Sequence, residues 1–409
     1  MTKELVIIGG GAAGFFCAVN AAKINPQLKI TILEKTGKLL AKVKVSGGGR
    51  CNVTHACFDI LEMSKNYPRG ANFVKKTFHQ FFTTDIIEWF KQRGVLVKEE
   101  QDGRMFPVTD SSQTIVDCLL REVSNFGMEI MMNAEVKKIV IQQEKFMLQF
   151  PGGKEKIADF VCIASGGYPK STMFTWLTEL GHTIENPVPS LFTFNLPGHA
   201  ITKLMGVSVE NVSIKISGTK LEQNGPILIT HWGLSGPAVL KLSAWGAREL
   251  AQKNYDFKIV VNWLPAYNEQ QLAKKFQSLR MEIAAQNVFS KNPFGLPKRL
   301  WEFILSNAGV NKERRWADLP SGHANKLVRD LCAGEFAIKG KTTFKEEFVT
   351  AGGIKLNEID HQTMMSKKIF NLFFAGEVMN VDGITGGYNF QHAWTSGFIA
   401  GKTIAQSSR

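Results

Sequence analysis

The chain has 409 residues, 44% of them hydrophobic and 21% charged, which suits a globular enzyme of two or three domains and excludes disordered and fibrous classes. Its formal net charge is +13, yet the basic residues fall in scattered pairs such as Lys75-Lys76, Lys137-Lys138 and Arg314-Arg315, so a solvated basic surface is expected and a nucleic-acid partner is not. A strand motif that begins at residue 5, the lack of any apolar run of bilayer length, and six cysteines without zinc-ligand spacing lead to the expectation of a cytoplasmic protein with no membrane partner and no metal.

Residues 5 to 14, Leu-Val-Ile-Ile-Gly-Gly-Gly-Ala-Ala-Gly, read as a buried parallel strand running into a glycine turn and a helix, Ala12 to Lys23. Gly9 serves the tight turn, Gly11 the close approach of backbone to a pyrophosphate, and Gly14 the packing of helix on sheet. A second strand at 29 to 34 ends on Glu34, where a carboxylate accepts from a ribose diol and repels a 2′-phosphate. This points to FAD or NAD rather than NADP. A polar, glycine-rich stretch follows from 36 to 54, then helical periodicity at 71 to 93 and 112 to 126. Short β segments at 129 to 150 and the run Phe160 to Gly167 complete a doubly wound parallel sheet with a small antiparallel crossover.

From about residue 190 the texture changes to short alternating strands at 206 to 216, 226 to 230 and 257 to 263. Helical patterns then take over at 272 to 285, 300 to 307 and 324 to 331, and βα texture returns with a buried strand from Leu372 and a closing helix at 389 to 405. The expected organisation is α/β. A discontinuous Rossmann nucleotide domain at 1–190 and 346–409 encloses a compact β domain at 191–266, a helical subdomain at 267–335 and a return strand at 336–345.

A second glycine turn, Asp382-Gly-Ile-Thr-Gly-Gly-Tyr-Asn-Phe-Gln391, follows Ala375-Gly376-Glu377 and opens a long helix. FAD uses two helix N-termini, one for its pyrophosphate and one for the ring edge that gains negative charge on reduction. Between them, Lys42-Val-Lys-Val-Ser46-Gly-Gly-Gly-Arg-Cys-Asn52-Val-Thr54 offers backbone amides, with Ser46, Arg50 and Asn52 as side-chain donors. No second glycine fingerprint follows another strand, so NADH or NADPH, if it is the reductant, docks transiently at the flavin, or else the substrate itself reduces the ring. His231, at the start of a Gly-Leu-Ser-Gly-Pro turn, is a candidate proton donor, and Tyr388 a candidate donor to substrate. Cys51 and Cys57 are weighed as a redox pair and read instead as a loop-packing and an incidental cysteine.

Ser46-Gly-Gly-Gly-Arg-Cys-Asn-Val-Thr, Gly103-Arg-Met-Phe-Pro-Val-Thr-Asp-Ser-Ser, Val188-Pro-Ser-Leu, His231-Trp-Gly-Leu-Ser-Gly-Pro-Ala and Phe374-Ala-Gly-Glu-Val-Met-Asn-Val-Asp-Gly-Ile-Thr-Gly-Gly-Tyr-Asn-Phe-Gln together resemble the bacterial YhiN/BaiN-like flavoprotein family, described as NAD(P)/FAD-dependent or aminoacetone-oxidase-like oxidoreductases. The resemblance spans nearly the whole chain. It implies a glutathione-reductase-like FAD domain carrying an inserted β-barrel and a helical subdomain. It implies FAD contacts from Gly9, Gly11, Ala13, Gly14, Glu34, Lys35, Lys42, Ser46, Gly49, Arg50, Cys51, Val136, Ala164, Gly376, Glu377, Asp382, Gly387, Tyr388, Asn389 and Gln391. The chain departs from the family after Ala164-Ser-Gly-Gly-Tyr-Pro-Lys-Ser171, where a further glycine-rich stretch is missing and Thr172-Met-Phe-Thr-Trp follows directly.

The resulting expectation is an FAD-dependent oxidoreductase moving a hydride between flavin N5 and a small organic substrate, held between the FAD and inserted domains, with Arg50, Tyr388 and His231 as the catalytic candidates. The alternatives are an amine or aminoketone oxidase using oxygen, an RNA-modifying flavoprotein, and a non-catalytic FAD-binding scaffold.

Overall fold

Leu5, Val6 and Ile7 have no solvent exposure, because their strand sits at the centre of a sheet covered on both faces. The computed structural model describes residues 2–343 and 349–409. In it β1 (Glu4–Ile8) pairs in parallel with β2 (Lys29–Leu33) on one side and with Phe160–Ile163 on the other. Leu372–Phe374 and Glu129–Met131 extend the two edges, giving five parallel strands. Continuous apolar runs rather than alternation are what such doubly covered strands require.

Helix α1 (Ala12–Ile24) is buried from Ala13 to Ala22, sharing its surface with the long helix Tyr388–Ser407. Two glycines of that helix permit the close approach. A Cβ on Gly397 would lie 2.6 Å from the Ala13 carbonyl oxygen, and one on Gly401 2.4 Å from that of Cys17. Small antiparallel sheets, Lys138–Gln142 with Lys145–Gln149 and Glu155–Ala158, and Thr54–His55 with Arg104–Pro107 and Val97–Glu99, complete this region.

Two differences from the sequence reading stand out. The helical stretch expected at 71 to 93 is two helices, Ala71–Thr77 and Thr83–Lys91, interrupted where the Asp85 carboxylate takes the Phe82 N–H at 2.6 Å. A local side-chain acceptor there starts a new helix rather than continuing the old one. Ile184–Ser190 also forms an antiparallel ribbon with Val349–Ile354, a pairing with no local signal.

The chain divides into two units, residues 1–190 with 344–409, and residues 191–343. The expected domain boundary at 345/346 lies outside the described residues. The second unit is an antiparallel sheet of seven strands in the order Gly334–Lys339, Asp256–Asn262, Ser208–Ile216, Glu222–Ile229, Gly233–Ser235, Thr193–Asn195, Lys341–Thr342. Its helices Glu269–Glu282, Lys298–Asn307 and Ser321–Cys332 put Leu272, Phe276, Trp301 and Leu331 into the same core as the sheet residues Ile214, Ile259 and Ile338. Sheet and helices thus share one hydrophobic centre.

Candidate active site

The turn after β1 is built for a ligand that approaches backbone. Gly9 has φ +122°, and a Cβ there would sit 2.2 Å from the Ala164 carbonyl oxygen, so only glycine fits. Its N–H donates to the Leu33 carbonyl at 2.8 Å, while Ala164 donates to Ile8 at 2.8 Å. A Cβ on Gly14 would lie 2.1 Å from the Gly9 carbonyl oxygen, whereas one on Gly11 would meet nothing within 4 Å. Gly11 caps α1 without a side-chain hydrogen bond, leaving the helix's first amides for an anion.

Glu34 hangs beside this turn. One carboxylate oxygen accepts from the Gly10 N–H at 3.0 Å and the other from the Thr36 N–H and hydroxyl, both at 2.8 Å. The oxygen that accepts only Gly10 keeps a lone pair for a further donor. The Ala134 N–H donates to the Glu34 carbonyl at 2.8 Å and so brings Val136 alongside. A cavity of about 330 Å³ opens here, with Gly9, Glu34, Lys35 and Val136 among its walls.

The glycine run of the second motif adopts left-handed backbone at Gly47, Gly48 and Gly49, with φ +59°, +70° and +85°, directly after a short helical segment from Ala41. A Cβ on Gly48 or Gly49 would meet no atom within 4 Å, while one on Gly47 would press on Phe106 at 2.6 Å. Arg50 lies over the Phe106 ring, 3.9 Å from its centroid, and pairs with Glu100 at 2.5 Å and Asp110 at 3.6 Å. Its charge is therefore already held by carboxylates. Cys51 is fully buried, and burial pushes its thiol up to about 12 against a hydrogen bond from Ser46. Burial raises the Cys57 thiol as well. Neither cysteine has the lowered pKa that thiol exchange uses.

The residues after Phe374 complete the site. Gly376 donates to Ser396 Oγ at 2.9 Å, and a Cβ there would touch Ala13 at 2.9 Å. Glu377 pairs with Lys42 at 2.6 Å and accepts the Thr350 N–H at 2.8 Å. Asn389 braces the turn, accepting from the Gly383 N–H at 2.8 Å and donating to the Gly383 carbonyl at 2.9 Å. Gln391 accepts the Thr54 hydroxyl at 2.6 Å, and a Cβ on Gly387 would lie 2.4 Å from the Thr54 carbonyl oxygen. The helix starting at Tyr388 has no side-chain cap. The Tyr388 ring stacks on His55, centroids 4.9 Å apart and 22° between planes. Burial raises its phenol well above the ordinary value, and its backbone carbonyl accepts from Tyr67 Oη at 2.6 Å.

The Asp382 carboxylate is held by Arg69 and Ser190. His231 belongs to the other unit, exposed in a turn with its ring 4.6 Å from Trp232. Sequence reading missed His55, Arg69, Glu100 and Thr350. Each meets its partner through long-range folding, which periodicity does not register. Among the described residues there is no group of three or more His, Cys, Asp or Glu able to hold a metal, and no helix long and apolar enough to cross a membrane.

A family model described as the HI0933-like protein Rossmann domain matches residues 3–403. The chain belongs to this family. It is an FAD-dependent oxidoreductase. It is 27% identical over 414 residues, 99% of both chains, to the 3-dehydro-bile acid delta(4,6)-reductase of Clostridium scindens, and 30% identical over 420 residues, 98% of both, to the ribosomal RNA dihydrouridine synthase of Escherichia coli. Among solved structures, a 3-ketosteroid-delta4-(5alpha)-dehydrogenase from Rhodococcus jostii covers 98% of this chain and 97% of its own, with a TM-score of 0.53 at 13% identity. That likeness is one of fold.

Proposed function

We propose that this chain reduces a carbon–carbon double bond conjugated to a carbonyl. The observation that carries the reading is that its full-length relatives are named for one transformation on two scaffolds. A Δ4 alkene beside a 3-oxo group and the C5=C6 bond of uridine are both polarised toward a carbonyl, and both take a hydride at one carbon and a proton at the other.

The residues fit FAD. The open side of Gly11 and the uncapped amides of α1 suit its pyrophosphate, Glu34 its ribose, and the cavity beside Val136 its adenine. Gly49, Ser46 and the Lys42–Glu377 pair line the path between the two glycine turns, and the helix start at Gly387 and Tyr388 suits the electron-rich edge of the ring. When bound, FAD supplies the hydride. The chain's own part is to hold and protonate. Tyr388, buried and stacked on His55, keeps its proton on Oη at neutral pH and is the donor to the substrate carbon. NADH or NADPH is the proposed reductant.

Two substrates suit this chemistry. A small enone is the first reading. The second is a uridine within ribosomal RNA, favoured by the name of the Escherichia coli relative. The test is anaerobic stopped-flow spectroscopy of the FAD-loaded protein. NADH or NADPH should bleach the flavin, and either a 3-oxo-Δ4 steroid acid or unmodified ribosomal RNA should restore its colour with a product two mass units heavier. Bleaching by aminoacetone and recovery only with oxygen would replace this reading with an oxidase.

A further inference from the structure

The unit of residues 191–343 has a cavity of its own. It holds about 120 Å³, with His199, Trp263, Phe303, Asp330 and Phe336 among its walls. That is too small for a whole small-molecule ligand, whose sites run to roughly 300–1,000 Å³, and is the size of a single ring. Leu300, Phe303 and Asn307 line it at the three- and four-residue spacing that puts side chains on one face of the helix Lys298–Asn307. Leu300 is fully buried and Asn307 exposed, so the cavity opens at the surface. Its rings touch in series, with centroids 6.4 Å apart for Phe303 and His199, 5.4 Å for His199 and Phe336, and 6.3 Å for Phe336 and Trp263.

The polar groups on this cavity are unspent. His199 Nδ1 accepts the Ile201 N–H at 3.1 Å, and burial lowers the ring's pKa and keeps it neutral, so its proton sits on Nε2 as a donor. The Asp330 carboxylate makes no hydrogen bond or ion pair among the described residues. Burial raises its pKa, and the nearby Lys326 and Arg329 oppose that rise. Those two cations disfavour a positively charged occupant. A flat, neutral ring with a donor beside an acceptor suits the aromatic walls, the one N–H and the one carboxylate together. Unpaired RNA bases are held in this way, splayed out, stacked on aromatic side chains and hydrogen-bonded along their Watson–Crick edges. Residues 191–343 carry twenty lysines and arginines against eleven aspartates and glutamates. Most of the net charge of +13 thus lies in the unit that bears the cavity, where it attracts phosphate.

We propose that this cavity holds one unpaired pyrimidine of a single-stranded RNA, with the ring against Phe303 and Phe336, a base acceptor on His199 Nε2–H and a base donor on the Asp330 carboxylate. The proposal rests on the ribosomal RNA reading above and adds a docking point to it. The full chain is titrated with fluorescein-labelled oligonucleotides of U, C and A, with CMP and UMP as competitors, by anisotropy at several salt concentrations and so independently of flavin turnover. The U and C strands should bind more tightly than the A strand, whose two-ring base exceeds the space. Phe303→Ala should weaken them by ~5- to 150-fold, the effect of losing one base–aromatic stack, with an unchanged salt slope. Should Phe303→Ala fail to fold, Phe303→Leu keeps the apolar bulk, removes the ring face and reads the same loss. Arg329→Gln should instead weaken all three strands alike and lower the salt slope by ~1. Wild-type affinity for the U and C strands in the Phe303 variants would overturn the cavity and leave the RNA reading standing. CMP or UMP binding as tightly as the strands would overturn RNA as the occupant. Wild-type protein that binds none of the strands would overturn the RNA reading itself, and the cavity with it, leaving the enone.

Discussion

Arg69 and Asp382, 313 residues apart, form a two-pronged ion pair beneath the second glycine turn. Arg69 Nε donates to Asp382 Oδ1 at 2.6 Å, Nη2 donates to Oδ2, and the Ser190 hydroxyl reaches Oδ2 at 2.9 Å. The Asp382 carboxylate has no solvent exposure. Burial pushes its pKa up, and Arg69 opposes that rise. Removing one partner of a buried pair strands the other, at a cost of ~3–5 kcal/mol. Arg69→Met should therefore lower the unfolding free energy read from urea titration by that order and weaken FAD binding through the turn, while Arg69→Met with Asp382→Asn should recover much of the stability. Equal losses in the single and double variants would show that the pair is not what holds the turn.

A second prediction concerns acid. Glu358 is buried among donors: His182 Nδ1 at 2.9 Å, the Thr183 N–H at 3.0 Å and Lys368 Nζ at 2.7 Å. Burial alone raises a carboxyl, but these bonds outweigh it and hold Glu358 down to about 2, against an ordinary 4.5. Burial lowers the pKa of His182 in spite of Glu358, so the ring is neutral, donates from Nδ1, and accepts the Ser366 hydroxyl at Nε2, 3.0 Å away. Because the folded pKa of Glu358 is depressed, its contribution is complete above about 4.5 and is lost as pH falls toward about 2. The loss is on the order of 3 kcal/mol. Urea unfolding between pH 5 and pH 2 should show this slope in the wild type and a flatter one in Glu358→Gln.

How much of this was legible in the sequence depends on distance along the chain. The strand–turn–helix around Gly9 and the helix at Ser112–Asn125 are local patterns, and apolar periodicity with glycine spacing reads them correctly. The helix break at Phe82 turns on one carboxylate three residues ahead, below what periodicity resolves. Arg69 with Asp382, Arg50 with Glu100, and the Ile184–Ser190 ribbon with its distant strand are products of tertiary folding. Each leaves in the sequence only an ordinary charged or apolar residue. Arg50 shows the consequence most plainly. Its motif suggests a donor to the cofactor, while the fold supplies a carboxylate partner that the motif does not contain.

The third prediction tests the glycine cradle. Gly14→Ala places a Cβ about where the Gly9 carbonyl oxygen lies, 2.1 Å away, with Ile7 Cγ2 at 3.2 Å. Backbone has to move to admit it, so the overpacking cost should be ~1–3 kcal/mol. The same shift moves the first amides of α1, and FAD affinity should fall with stability. Gly11→Ala meets no protein atom. It should leave apo stability within ~0.5 kcal/mol and lower FAD affinity alone. Thermal melts with and without FAD separate the two effects; a Gly11→Ala protein that binds FAD normally would remove the pyrophosphate from that face.

The fourth prediction separates proton delivery from cofactor binding. Tyr388→Phe removes only Oη. The stacking partner His55 and the Tyr67 bond to the backbone carbonyl of residue 388 remain available, so FAD should bind as before and reduction by NADH or NADPH should keep its rate. Reoxidation by the unsaturated substrate needs a proton as well as a hydride, and loss of a positioned acid slows such a step by ~10²- to 10⁴-fold. A defect confined to that half-reaction, together with a larger solvent isotope effect in the wild type than in the variant, assigns the proton to Tyr388. If Tyr388→Phe reoxidises at the wild-type rate, the proton comes from another group and the phenol only packs. If both half-reactions slow together, the substitution has disturbed the site around the cofactor, and the assignment fails on that ground instead.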